Sequence, residues 1–138
     1  MPSTLPAGDP VPEDGSLPES ALAGVGTRPF GVYVHVPFCR VRCGYCDFNT
    51  YTANEIGPGA GRASYADTAV AEVRRMRATL GAADVAVDTV FVGGGTPTLL
   101  DPDDLGRILR AIDDELGLVP GAEVTTESNP DSVDAASL

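Results

Sequence analysis

Phe30-Gly-Val-Tyr-Val-His-Val-Pro-Phe-Cys39-Arg-Val-Arg-Cys43-Gly-Tyr-Cys46 joins two unlike segments without a break. The first seven residues mix β-branched and aromatic side chains, place valines at alternate positions and stop at Pro37, which predicts a strand over Phe30–Val36. The remainder sets three cysteines within eight residues. A strand therefore feeds directly into a loop rich in thiols.

Working outward, a long connection runs from Pro37 to about Gly61 and includes a Gly57-Pro-Gly59 turn. Connections of that length in compact domains are usually functional. Arg62–Leu80 then predicts a helix, because Tyr65, Ala69, Val73, Met76 and Leu80 recur at helical spacing and Gly81 supplies a stop. Val87–Val92 predicts a second strand, broken by Gly93-Gly-Gly-Thr-Pro97. Asp101 and Pro102 open a second helix, with Leu105, Ile108, Leu109, Ile112 and Leu116 along one side and Gly117 at its end. A third strand, Glu123–Glu127, runs into Ser128-Asn-Pro130, and Asp131–Leu138 reads as the first turns of a further helix. Strand, helix, strand, helix, strand and helix start in that order predict α/β architecture, right-handed β/α units on a parallel sheet.

The first 29 residues hold six of the twelve prolines, four glycines and four acids, with no aromatic residue and no periodic apolar face. They read as a disordered leader, so that the folded domain is expected over residues 30–138. The leader lacks the basic start and the apolar run of about 7–15 residues that an export signal needs. No segment approaches the ~20 apolar residues that span a bilayer, so membrane association is not evident and a cytoplasmic location is expected. Three clustered cysteines argue against a secreted disulfide framework. A net charge of −11 over 138 residues excludes a nucleic-acid binder that works by neutralising phosphates. The basic cluster Arg74, Arg75 and Arg77 reads as a solvated helix face.

Cys39-Arg-Val-Arg-Cys43-Gly-Tyr-Cys46 places three thiolates close enough to converge on one metal centre with little closure entropy. Four cysteines saturate a [4Fe–4S] cluster, and three leave one iron open to an external ligand. A zinc site completed by His35, and loose surface thiols or a disulfide, are the alternatives. Gly93, Gly94 and Gly95 remove three side chains at a strand exit, which lets a ligand approach the main chain or simply permits a tight turn. Glu127 ends a predicted parallel strand, where α/β proteins place ligand-binding groups.

Tyr33-Val-His-Val-Pro-Phe-Cys39-Arg-Val-Arg-Cys43-Gly-Tyr-Cys46-Asp-Phe48 resembles the cluster loop of radical S-adenosylmethionine proteins, in the branch of oxygen-independent coproporphyrinogen III oxidase and the heme chaperones. Phe91-Val-Gly-Gly-Gly-Thr-Pro-Thr-Leu-Leu100 and Glu127-Ser-Asn-Pro130 resemble two further motifs of that branch. The match covers Phe30 to Leu138. It implies the N-terminal portion of a partial (β/α)6 barrel, a truncated radical SAM core with fewer than three complete units. It also implies that Cys39, Cys43 and Cys46 hold a [4Fe–4S] cluster, and that Gly94, Gly95, Thr96 and Glu127 bind S-adenosylmethionine. Tyr33 is assigned by resemblance to the sulfonium region and Tyr45 to adenine packing. His35 matches a family histidine and is the candidate catalytic residue.

The chemistry so implied is reductive cleavage of the S–C5′ bond of S-adenosylmethionine to a 5′-deoxyadenosyl radical, which the cofactor pair itself carries. Within the branch, the oxidase pattern has another cysteine two residues after the third, where this chain has Phe48. The resemblance therefore implies a heme chaperone that delivers heme to acceptor proteins, with an electron donor as a further partner. Coproporphyrinogen III oxidation to protoporphyrinogen IX and an inactive cluster-binding fragment are the other readings. Substrate- and heme-selecting residues are expected beyond Leu138.

Overall fold

A computed structural model describes residues 8, 10, 12–52, 55 and 61–134. The elements run α1 (Glu19–Leu22), β1 (Phe30–Val36), β2 (Phe38–Cys39), β3 (Tyr51–Thr52), α2 (Arg62–Leu80), β4 (Val87–Gly94), α3 (Pro102–Leu116) and β5 (Leu118–Thr126), with single 3₁₀ turns at Pro97–Leu99 and Pro130–Ser132. β1, β4 and β5 form an all-parallel sheet in that order, and β2 and β3 pair separately, also in parallel. Parallel neighbours require crossovers. The cysteine loop and α2 make the first, and α3 makes the second.

The pleat sorts the sheet's residues between two faces. Val34 and Val36 of β1 and Val90 and Val92 of β4 point to one face, where they are buried with Ala66, Ala69 and Val73 of α2 and Ile108, Ile112 and Leu116 of α3. The two helices also pack on each other. Each fully buried aliphatic side chain contributes about 1.5–3 kcal/mol, so this helix-covered face carries the stability. The opposite face is open and holds the registered rows Tyr33–Phe91–Thr125 and His35–Gly93, with Glu127 beside Gly93.

Both long helices have the predicted bounds. Pro102 and the Asp101 side chain, which accepts the Asp103 amide, start α3, and Gly117 at φ 78° ends it. Gly81 at φ 59° ends α2. Of the basic cluster, Arg74 pairs with Glu115, while Arg77 donates to the carbonyls of Gly81 and Ala83 beyond the helix end.

Three expectations change. β5 starts at Leu118 rather than Glu123, because a bulge lets Leu118 pair with Val87 while Glu123 pairs with Thr89, and Pro120 and Gly121 (φ 83°) occupy the extra loop. A bulge is one place where a strand tolerates such residues. Asp131–Asp134 do not begin a helix. Asn129 Oδ1 accepts the Asp131 amide and the Asn129 carbonyl accepts from both Ser132 N–H and its hydroxyl, so one 3₁₀ turn satisfies the local groups. Residues 135–138 lie outside the described residues, as does the Gly57-Pro-Gly59 turn. Finally, the packed chain begins ahead of Phe30, since Leu22 and Val25 rest against the core. No helix among the described residues is long and apolar enough to cross a membrane.

Candidate functional site

The C-terminal ends of β1, β4 and β5 meet the cysteine loop, and between them lies a cleft of about 710 Å³. That volume falls in the roughly 300–1,000 Å³ range of small-molecule sites. Cys39, Cys43 and Cys46 line it on one side; Gly94, Gly95 and Thr96 form its floor, and Glu127 to Asp131 its far wall. Tyr45 and Phe48 also line it, and both are largely exposed.

Backbone bonding explains why the loop starts where it does. Gly95 N–H donates to the Val36 carbonyl at 2.8 Å, and Thr96 N–H to the Phe38 carbonyl at 2.7 Å, so the glycine run at the end of β4 is laced to the entry of the cysteine loop. The approach is close enough to demand glycine. A Cβ on Gly95 would stand 2.5 Å from the Phe38 carbonyl oxygen and 2.9 Å from Cys39 Sγ, and Gly94 adopts φ 114° with the Val36 carbonyl oxygen 2.8 Å from where its Cβ would be. The triplet thus serves close chain approach as well as lining the cleft.

Glu127 follows β5, and its own N–H donates to the Val92 carbonyl at 2.9 Å. Its Oε2 accepts the Gly94 amide at 3.1 Å. The carboxylate is thereby aimed across the strand ends at the glycine floor, with its other oxygen available to a ligand. Asn129 and Pro130 shape the turn after it.

Tyr33 and His35 do not line this cleft; they stand on the open face of the sheet. Tyr33 stacks on Phe91 with ring centroids 6.0 Å apart. Partial burial pushes its phenol above the usual tyrosine range, and the charge of Glu127 adds to that. His35 Nδ1 is 2.9 Å from the Tyr33 hydroxyl and Nε2 is 2.8 Å from the Asn49 carbonyl. Because a carbonyl only accepts, Nε2 carries a proton, and in the neutral ring Nδ1 accepts from Tyr33. Both ring nitrogens are occupied, and the histidine fastens the tail of the cysteine loop to β1.

Cys39, Cys43 and Cys46 are free thiols that line one cleft, a donor set that suits a four-iron cube, which takes each thiolate on a different iron. His35 is hydrogen-bonded at both ring nitrogens, to Tyr33 and to the Asn49 carbonyl.

Cys39, Cys43, Cys46, Tyr45, Gly94, Gly95, Thr96 and Glu127 are thus brought together around the cleft, while Tyr33 and His35 lie outside its lining and abut it from the sheet face, Tyr33 and Glu127 both flanking Gly93 and the His35 ring flanking Gly94. Sequence reasoning missed Arg40, Leu99 and Ser128 on the cleft wall. It also missed Arg42, Asn49 and Glu55, which tie the loop down. Single loop arginines and acids read as solvated charge, so composition carried no signal for them.

Residues 33–138 match the Radical SAM superfamily. The chain is 49% identical over 111 residues to the heme chaperone HemW of Mycobacterium tuberculosis (strain ATCC 25618 / H37Rv), a match covering 80% of this chain and 28% of that protein. It is 39% identical over 115 residues to the mitochondrial radical S-adenosyl methionine domain-containing protein 1 of Mus musculus, covering 83% and 24%. Among solved structures, the radical SAM enzyme coproporphyrinogen III oxidase (HemN) from Escherichia coli superposes with a TM-score of 0.68 at 25% identity, covering 83% of this chain and 25% of that one. The chain spans about a quarter of the length of these relatives. Its parallel strands and flanking helices match the corresponding part of the partial barrel in that enzyme.

Proposed function

The chain belongs to the radical SAM superfamily, in the branch that contains HemW and HemN, and from that premise we propose that it forms the cluster- and S-adenosylmethionine-binding part of a heme chaperone. The observation that carries this reading is the single cleft shared by the three cysteines, the glycine floor and Glu127. When bound, a [4Fe–4S] cluster with one open iron supplies the electron that cleaves S-adenosylmethionine.

This chain's own part is binding and orientation. Cys39, Cys43 and Cys46 would hold the cluster. Glu127, fixed by the Gly94 amide, offers a carboxylate oxygen to a cationic or hydroxyl group of the ligand, and the Thr96 hydroxyl offers a second polar contact beside it. Gly94 and Gly95 keep side chains out of that space. Tyr45 and Phe48 present aromatic faces at the rim, suited to packing on a purine and to limiting water. Tyr33 and His35 support the site from the sheet face, and His35 is assigned a positioning rather than a catalytic role.

Phe48 and the chaperone relatives favour heme delivery to acceptor proteins, with an electron donor as the other partner. The likeness to HemN supports coproporphyrinogen III oxidation as the second reading. Anaerobic reconstitution with iron and sulfide should load about four irons per chain with a cluster's visible absorbance. Uptake of one zinc and no iron would remove the proposal. Stoichiometric heme binding by a full-length homologue, without decarboxylation of coproporphyrinogen III, supports the chaperone; decarboxylation coupled to 5′-deoxyadenosine formation supports the oxidase.

A further inference from the structure

Arg42 lies between the first two cysteines and reaches back across the loop. Its Nη2 donates to the Thr50 carbonyl at 2.7 Å and to the two carboxylate oxygens of Glu55 at 3.2 and 3.3 Å. Glu55 Oε2 in turn accepts the Thr52 amide at 2.8 Å and the Thr52 hydroxyl at 2.9 Å. Thr50 is 3% exposed, and its neighbour Tyr51 donates its N–H to the Pro37 carbonyl at 2.7 Å. β3, which these contacts grip, pairs with β2, the strand that ends in Cys39. A closed circuit therefore runs from Cys39 through β2 and β3 to Thr52, Glu55 and Arg42, and ends beside Cys43.

We propose that Arg42 and Glu55 form a clasp that positions Cys43 relative to Cys39, so that the loop enters cluster binding with its thiolates already spaced. The inference rests on the cluster reading given above. Neither residue lines the cleft, so the two act through the loop and not on the ligand. The physical gain is preorganisation: a loop ordered in advance loses less conformational freedom when the ligand binds. The chemistry of the clasp is also specific. All three contacts of Arg42 converge on one nitrogen rather than on a guanidinium fork, so an ammonium with its three donors suits the same position.

The test uses the 138-residue chain in two states. In the apo chain, chymotrypsin cleavage after the exposed Tyr45 reports loop opening. Arg42→Ala and Glu55→Ala should each speed it roughly two- to five-fold, the range that a half-exposed ion pair supplies. The double variant should be no faster than the quicker single one, because both remove one interaction. Arg42→Lys should stay within about two-fold of the parent rate. In the anaerobically reconstituted chain, the same alanine variants should lose iron to a chelator faster by a similar factor, while the urea midpoint of the apo chain stays unchanged. Equal cleavage rates in all variants, additive single effects, or unchanged iron loss would overturn the clasp. A parent chain that takes up no iron removes the cluster reading and the purpose assigned here, while the chymotrypsin comparison still decides whether the clasp exists.

Discussion

Gly95 shows how narrow the tolerance is where β4 meets the cysteine loop. The nearest atom to a methyl group added there is a backbone oxygen, that of Phe38, which cannot swing away as a long side chain would. Gly95→Ala should therefore cost roughly 1–3 kcal/mol, as overpacking at a tight contact does. It should also push Cys39 outward, so that the variant retains less iron after reconstitution than the parent does. Urea denaturation and iron counting check the two effects separately.

Tyr65 offers a second residue-scale test. Its hydroxyl donates to the His35 carbonyl at 2.7 Å, and burial, with a smaller contribution from the charge of Glu72, pushes its phenol up to about 12. An unfolded tyrosine titrates near pH 10, so the folded chain holds this proton to higher pH. The corresponding stability is complete below about pH 10 and is lost as pH rises toward 12. Its size is on the order of 1 kcal/mol once partial exposure is allowed for. Urea midpoints between pH 9 and 12 should fall more steeply for the parent than for Tyr65→Phe.

At the scale of elements, α3 is the best determined by its own residues. Asp101 caps it, Asp103 and Asp104 complement its dipole, and its apolar stripe is buried along the sheet. Asp101→Ala should lower stability by about 0.5–2 kcal/mol. Asp101→Asn, which keeps an accepting oxygen, should recover most of it in the same thermal unfolding measurement. β5 is the contrary case. Pro120 and Gly121 break its sequence pattern, and only pairing with β4 carries the strand past them.

For the molecule as a whole, the sheet has helices on one face and an open face opposite, and β1 and β5 are its edges. Val124 on β5 is 47% exposed. An edge strand with an exposed branched side chain invites pairing with another chain. The 138-residue chain should therefore self-associate as concentration rises. Val124→Lys should reduce that association in sedimentation velocity without changing the helical content.

The residues alone determined the order of the three main strands and two long helices, the bounds of α2 and α3 and the parallel architecture, and they singled out the cysteine loop as the candidate site. Those features rest on spacing along the chain: alternation in β1, helical periodicity in α2 and α3, glycine stops, and three thiols within one loop. Only the tertiary structure decided that His35 is hydrogen-bonded at both nitrogens, that Gly94 and Gly95 are required by the approach of Val36 and Phe38, and that the half-exposed Arg42 is held by Thr50 and Glu55. It also decided that β5 begins at Leu118 and that Asp131 starts no helix. Each of these depends on a group distant in sequence or on a local side-chain bond, and neither leaves a period or a composition that a linear reading can detect.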